Sequence, residues 1–500
     1  MKNQKSNSDE IYAALDLGSN SFHLLVAGFA SGQLRIIDRY KENVRLAQGL
    51  KSDGRLSRKS METALASLHK FSERLRTTPQ QHIRVVGTNT LRAAKNADLF
   101  LERAEAVLGL PINIISGLEE ARLIYLGVAK DFSPNMGERL VVDIGGGSTE
   151  LVLGKDQPIK LESLYMGCVS FTRQYFPDGK ISARRYQSAL IAARLETEAS
   201  TKHFHARHWQ EAVGSSGTIR AIENVIFEMG LCKEHVITLD GLKALAGRVV
   251  EFEDCEKLNL PGLDPERREV FPGGLAVLHG VFLELGIKQM HVSAYAIREG
   301  IVYDLAGRFH HKDKREETVT HFMTQYRVDH EQVDRMQAFA LKLLAQVEQK
   351  LETTPDQSKS LLKWAIALHE IGLSVAHSAY HKHSAYLLLH SDMPGFSRQE
   401  QKLLSFLVLN HRRKLKPMKE TYGFEPDWRL VILLRLAFLF NRCRSSAGLP
   451  DKIAIAFKNG RVDLCLNRNW VEQHPLTEEA LHAERQYLDG VGLKMRLLAE

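Results

Sequence analysis

At 500 residues the chain is too long for one ordinary core and calls for two to four domains. With 44% hydrophobic and 25% charged residues it has the composition of a soluble globular protein, which excludes fibrous, disordered and membrane-embedded classes. Its net charge of +7, from 67 Lys+Arg against 60 Asp+Glu, permits an anionic partner without demanding one.

The N-terminal MKNQKSNSDE is polar and carries no apolar signal segment, and the five cysteines are scattered, odd in number and without a C-x-x-C pair. These features predict a reducing, cytoplasmic setting. ALDLGSNSFHLLV then reads as strand, Asp-x-Gly turn and strand, and VVDIGGGSTELVLG (141 to 154) repeats the pattern. IRVVGTNTLRAA (83 to 94) and EAVGSSGTIRAI (211 to 222) each read as a short strand, a Gly/Ser/Thr/Asn turn and a helix start. Asp16 to Asp143 and Gly87 to Gly214 are both 127 residues apart, so two strand-turn elements recur at one spacing and predict a duplicated α/β lobe. Each lobe then offers a shared cleft one carboxylate beside exposed main chain and one helix N-terminus with hydroxyls, the ingredients of a phosphate and metal site.

Between these elements, ISGLEEARLIYLGV opens as a helix, with Ser116 and Glu119 spaced as a capping box. That spacing gives Glu119 a structural role and leaves Glu120, about 100° round the helix, without one. His23, His279 and Cys168 lie in apolar surroundings and read as packed core residues; Arg298 and Glu299 read as a helix-start ion pair at least as readily as a phosphate contact.

After Asp304 the pattern changes to amphipathic helices, with GRFHHKDKREE (307 to 317) as the predicted hinge. VILLRLAFLF (431 to 440) is too short to span a bilayer, carries Arg435 and reads as a core helix. From Ala376 to Glu420, eight basic residues face three acidic ones, with HRRKLKPMK as the peak. KIAIAFKNGRVDLCLN predicts a β-hairpin turning at Asn459-Gly460, followed by a helix at TEEALHAERQYLDG and a strand at GLKMRLL.

Asp-x-Gly hairpins in duplicated lobes resemble the actin and sugar-kinase superfamily. More narrowly, DLGSNSFHLLV, VVGTNTLRAA, ISGLEEARLIYLGV, VVDIGGGSTELVLG, MGCVSFTRQYF, VGSSGTIRA and IREGIVYDL, in that order, resemble the exopolyphosphatase and guanosine pentaphosphate phosphatase family. The pair Ala294-Tyr295 departs from the small residues that the family often has there. The resemblance implies an α/β fold of two duplicated actin-like lobes (1 to 132 and 133 to 305), followed by a helical HD-like domain (306 to 425) and a small α+β domain (426 to 500). It also implies Mg²⁺-dependent hydrolysis of a terminal phosphoanhydride in the cleft between the lobes. Carried over by motif, Glu120 is the catalytic base and Asp143 and Glu150 hold the metal. Asp16, Ser19, Asn20, Ser21, Thr88, Arg92, Gly145, Gly146, Gly147, Ser148, Gly214, Ser215 and Thr218 cradle phosphate. The glycines of 145 to 147 are then expected to let main-chain amides touch phosphate oxygens.

LLKWAIALHEIGLSV with HSAYHKHSAYLLLHSDMPGF resembles the HD phosphohydrolase module, but the adjacent pair is His369-Glu370, and a degenerate module without metal is expected despite His377, His381, His383 and His411. Lys382, Arg412, Arg413 and Lys414 are expected to line a polyphosphate channel. The first expectation is therefore a processive exopolyphosphatase acting on inorganic polyphosphate; the alternative is conversion of guanosine pentaphosphate (pppGpp) to ppGpp, alone or in addition. A superfamily kinase or ATPase and a non-catalytic polyphosphate sensor are more distant rivals. No nucleic-acid partner and no transmembrane segment are expected. A homodimer is implied, with peripheral attachment to the inner face of the cell membrane left open.

Overall fold

The computed structural model describes residues 10–30, 33–132, 137–309, 313–347, 349, 351, 354–416, 427–446, 448–458 and 460–499. The chain folds as two compact units, Met1–Lys314 and Arg315–Glu500.

The first unit holds two sheets. One contains β1 (Ile11–Leu17), β2 (Phe22–Ala30), β3 (Gln33–Glu42), β4 (Ile83–Gly87) and β5 (Ile112–Ile114), in the order β3-β2-β1-β4-β5. The other contains β6 (Arg139–Ile144), β7 (Thr149–Gly154), β8 (Pro158–Leu164), β9 (Glu211–Ser215), β10 (Val236–Thr238) and β11 (Gln289–Val292), in the order β10-β11-β9-β6-β7-β8. Read outward from the hairpins, β3-β2-β1-β4-β5 corresponds to β8-β7-β6-β9-β11, with β10 as an additional antiparallel edge. The repeat seen in the sequence is therefore a repeat of topology, and it sets β1 on β6 and β4 on β9.

Each lobe keeps its own core. A third core joins them: Tyr12 and Ala14 of β1 pack in one cluster with Val141 of β6, Val152 of β7, and side chains of the helices Gly117–Asp131 and Ile297–Phe309. Those two helices approach backbone to backbone. A Cβ on Gly127 would lie 2.2 Å from the Ala296 carbonyl, and one on Gly300 would lie 1.7 Å from that of Leu123, so no larger residue fits either crossing position.

The second unit begins with helices including His330–Leu344, Pro355–Leu368, Tyr380–His390, Arg398–Leu409 and Trp428–Phe440. It ends with a three-stranded sheet of β12 (Ile453–Lys458), β13 (Arg461–Leu466) and β14 (Lys494–Ala499). One continuous core runs from Val319 to Met495, so residues on both sides of position 425 pack together. The apolar helix Trp428–Phe440 is buried nearly all round. Its Arg435 is buried too, donating to the Glu484 carboxylate (2.8 Å through Nη2) and the Asn410 carbonyl (2.6 Å). The expected hairpin forms between β12 and β13, with Gly460 at φ +73°, while Asn459 lies outside the described residues. Part of the expected hinge, 310–312, and Lys419 of the basic stretch also lie outside them. Among the described residues no helix is long and apolar enough to cross a membrane.

Candidate active site

Strand pairing assembles the acids. In β1–β2, Asp16 stands opposite His23; in β6–β7, Asp143 stands opposite Glu150, and β9 sets Ser215 on the other side of Asp143. The third contributor is the first turn of Gly117–Asp131, where the Ser116 hydroxyl accepts the Glu119 N–H (3.1 Å) and caps the helix. Glu119 then turns inward to Arg122, while Glu120 emerges on the cleft side, where Arg92 Nη1 donates to its Oε2 at 3.2 Å. Arg92 is itself fixed by a 2.7 Å bond to the Ile115 carbonyl.

The four carboxylates feel one another. Burial raises Asp16 to about 7, with added repulsion from Glu120 and Asp143, and Arg298 pulling the other way. Burial raises Asp143 to about 6 despite a hydrogen bond from Ser215. Glu150 is driven well above the carboxylate range by burial and by Glu120 and Asp143, although the Ser163 hydroxyl donates to its Oε1 at 2.9 Å. Glu120 is raised by burial and restrained by Arg92. Asp16 Oδ1 and Glu150 Oε2 are buried with no hydrogen-bond partner. Unpaired buried acids of this kind are costly, and hard oxygen donors that repel one another suit a hard divalent cation. Among the described residues no three Asp, Glu, His or Cys side chains gather closely enough to hold an ion by themselves.

The turns expected to cradle phosphate surround these acids. Thr90 donates to the Ser19 hydroxyl (2.8 Å), the Ser19 and Asn20 carbonyls accept from Ala47 and Arg45, and Ser21 donates to Asn43. Thr88 precedes the short helix Asn89–Ala93 that carries Arg92. Gly214 and Ser215 end β9, and the following Ser216 takes φ +92°, a strained angle for a residue with a side chain. Thr218 is turned into the protein, where its side chain packs against Gly274 and bonds Cys168.

The glycine run also has a packing reason. None of Gly145, Gly146 and Gly147 has a left-handed φ. Instead, a Cβ on Gly146 would lie 2.8 Å from Ser19 Cβ, and one on Gly147 would lie 2.3 Å from Asn89 Oδ1. Both neighbours belong to the other lobe, so these glycines let the two turns meet. Behind them, the N–H groups of Cys168 and Val169 donate to the Gly145 and Gly146 carbonyls (2.9 and 2.8 Å).

Of a cationic rim beside these acids the sequence reading singled out only Arg298. Arg298 donates to His23 Nδ1 at 2.7 Å, and burial together with Arg298, Lys41, Arg220 and Arg267 holds that imidazole neutral. Arg298 is thus engaged with His23, while Glu299 accepts from Arg39 (2.9 Å) and the Ala296 N–H (2.8 Å). Arg220 and Arg267 line an open depression of about 570 Å³ beside Gly217. The T-x-R-A pattern shared by Arg92 and Arg220 was the available signal. Ser163 left none.

Lys382, Arg412, Arg413 and Lys414 all belong to the second unit. Lys382, Arg413 and Lys414 are exposed, whereas Arg412 stacks over Tyr380 (4.9 Å) and Phe438 (5.4 Å). Beneath it His369 and His411 pack edge to face, each Nδ1 sharing a 2.6 Å hydrogen bond with a carbonyl of its own helix. Burial holds both, and His381, toward the neutral form.

The family model described as the Ppx/GppA phosphatase family matches residues 25–309, and that for Ppx/GppA phosphatase domain III matches residues 314–485. A guanosine-5'-triphosphate,3'-diphosphate pyrophosphatase of Aeromonas hydrophila is 38% identical over 497 residues, covering 98% of this chain and 99% of that protein. One of Vibrio cholerae is 38% identical over 488 residues, covering 97% of each. Among solved structures, an Aquifex aeolicus member of the Ppx/GppA family is 25% identical with a TM-score of 0.51, covering 60% of this chain and 98% of that one. An exopolyphosphatase from Cytophaga hutchinsonii, 21% identical with a TM-score of 0.54 and the same coverage, shares the fold. With both units matched and relatives aligned along the full length, the chain belongs to the Ppx/GppA phosphatase family, hydrolases of phosphoanhydride bonds built on the two-lobed actin-like fold.

Proposed function

We propose that this protein hydrolyses the terminal phosphoanhydride of guanosine pentaphosphate, releasing orthophosphate and leaving the tetraphosphate. This reverses the order of substrates drawn from the motifs, where inorganic polyphosphate came first. The observation that carries the choice of substrate is the full-length 38% identity to proteins named for that nucleotide. The reaction itself is supported by Glu120, a carboxylate held between Arg92 and the acids of both lobes.

In this reading a water oxygen attacks the terminal phosphorus, the bridging P–O bond breaks, and the shortened phosphate chain departs with the bond's electrons. Glu120 takes the proton of the attacking water. Its raised affinity for protons makes it a better base than an exposed glutamate, and Arg92 keeps it ionised and aimed. The anionic substrate is drawn by Arg220, Arg267, Arg298 and Lys41, and the turn at Gly145–Ser148 presents backbone to its phosphates.

Mg²⁺ is the proposed cofactor. Asp143 and Glu150, with Asp16 nearby, would hold it, and the unpartnered Asp16 Oδ1 and Glu150 Oε2 fit that role. The chemistry a bound Mg²⁺ supplies is neutralisation of phosphate charge.

The test is phosphate release from guanosine pentaphosphate and from long-chain polyphosphate, in Mg²⁺, by wild type and Glu120→Gln. The expected result is a higher kcat/KM for the nucleotide and a loss of roughly 10²–10⁴ in kcat for the variant, with binding retained. A higher kcat/KM for polyphosphate would restore the polymer reading, for which exposed Lys382, Arg413 and Lys414 are the favouring observation. A fully active Glu120→Gln would remove the assigned base.

A further inference from the structure

We infer that Glu119, Arg122 and Asp304 form a buried positioning device for Glu120, an inference that rests on Glu120 being the base. Glu119 is 1% exposed and accepts both arms of Arg122, Nε to Oε2 at 2.8 Å and Nη2 to Oε1 at 2.9 Å. Arg122 also pairs with Asp304, on the helix Ile297–Phe309. Asp304 accepts in addition from Arg84 of β4 (2.6 Å) and Arg308 (3.2 Å). Three guanidinium groups thus converge on two carboxylates inside the protein, and Arg84 keeps two buried nitrogens without a hydrogen-bond partner.

Such a network is a poor way to gain stability. Removing several charges from water costs about as much as their attraction returns, and apolar side chains would fill the space more cheaply. What a fork-shaped, bidentate network provides is a fixed geometry. Here the geometry fixed is that of one helical turn. Glu119 immediately precedes Glu120, so the rotation that seats Glu119 on Arg122 sets the direction in which Glu120 leaves the helix.

The other side of the turn is held as well. A Cβ on Gly117 would lie 2.4 Å from Ser163 Oγ, and Ser163 donates to Glu150. The turn that carries Glu120 is therefore pressed against the residue that orients Glu150. A small rotation of the turn moves both groups, and displacement of about 1 Å in a catalytic group can cost roughly 10²-fold in rate.

Glu119→Gln retains size but cannot accept two parallel bonds from Arg122. It is expected to lower kcat about 10- to 100-fold with KM within twofold, and to raise hydrogen exchange of the amides at 117–121 about tenfold. Glu211→Gln is the control. It breaks the Arg139–Glu211 pair (2.7 Å), four residues along β6 from Asp143 and so about 13 Å away, and should lower Tm without either effect. If Glu119→Gln fails to fold, Arg122→Lys keeps every charge while losing the fork and should give the same split. A Tm loss with unchanged kcat and unchanged exchange at 117–121 overturns the inference. Wild type inactive on both phosphate substrates would count against the proposed reaction, while the exchange measurement still decides the positioning role.

Discussion

Replacing Asp16 with Asn should make the metal-free protein more stable at alkaline pH while abolishing its catalytic use. The folded protein holds a proton on Asp16 up to about 7, against an ordinary value of 3.8. A carboxyl whose folded value is raised binds more protons in the folded state between those limits, so its burial is harmless below about pH 4 and exerts its full penalty above about pH 7. Roughly three units at 1.36 kcal/mol each correspond to ~4 kcal/mol. Because part of the shift is shared with Glu120 and Asp143, removing one member of the set recovers about half, ~2 kcal/mol, at minimum. For a unit of 314 residues, unfolding entropy near 2 cal/mol/K per residue converts this range to about 3–6 °C in Tm. The assay is thermal unfolding of wild type and Asp16→Asn in chelator from pH 4 to pH 8.5. The two melts should coincide near pH 4 and separate as pH rises, with the variant higher. Saturating Mg²⁺ should narrow the gap by stabilising the wild type. A variant that melts at or below wild type at pH 8.5 in chelator would refute the idea that burial and the neighbouring acids together penalise an ionised Asp16.

Two further outcomes follow from the same cleft. A Cβ on Gly167 would meet the backbone of Gly146 and Gly147 at 2.6 Å, whereas one on Gly147 meets the side chain of Asn89, which can turn away. Gly167→Ala should therefore destabilise by ~1–3 kcal/mol and Gly147→Ala by less than about 1 kcal/mol, read from denaturant midpoints; equal effects would mean that the turn is looser than described. Because Asp16 and Asp143 hold protons to about 7 and 6, and Glu150 is driven well above the carboxylate range, binding of Mg²⁺ should release between roughly one and two protons at pH 6 and markedly fewer at pH 8.5, where Asp16 and Asp143 are already ionised. Calorimetry in buffers of different ionisation enthalpy measures this, and the absence of proton release at pH 6 would exclude both acids from the ion's surroundings.

The parts of this molecule legible in the sequence are those that repeat or sit close together in the chain. Asp16 and Asp143 were visible because a strand, an Asp-x-Gly turn and a second strand recur 127 residues apart, and topology preserved that relation in both sheets. The capping serine at 116 was visible because its partner N–H is three residues away. Contacts across the cleft had no such signature. The glycines at 146 and 147 looked like phosphate-facing backbone, and their tightest neighbours turned out to be Ser19 and Asn89 from the other lobe. Asp304 reaches Glu119 through Arg122 and Arg84, more than 180 residues earlier in the chain, and no periodicity announces such a pairing.

Substrate preference was the least legible feature, and the reason is chemical. Backbone amides, hydroxyls and a carboxylate base treat the last two phosphates of a nucleotide and of a polymer alike, so the turns that the motifs encode do not discriminate. Discrimination has to come from groups that meet the rest of the substrate. On the first unit those are Arg220 and Arg267 at the open depression and Arg298 and Lys41 around His23, contributed by β3 and by separate segments of the second lobe. Arg298 and, through its T-x-R-A pattern, Arg220 carried some signal in the sequence, Lys41 and Arg267 carried none, and the four acquire one another only in the folded unit. Burial and neighbouring cations lower the proton affinity of Lys41 and Arg220, so the cluster favours a partner that brings negative charge. Under the proposed reading, a nucleotide with a 3′-diphosphate as well as a 5′-triphosphate would offer these cations two separate anionic groups, whereas a polyphosphate would offer one continuous chain, so this rim is where the two substrates should respond differently to substitution.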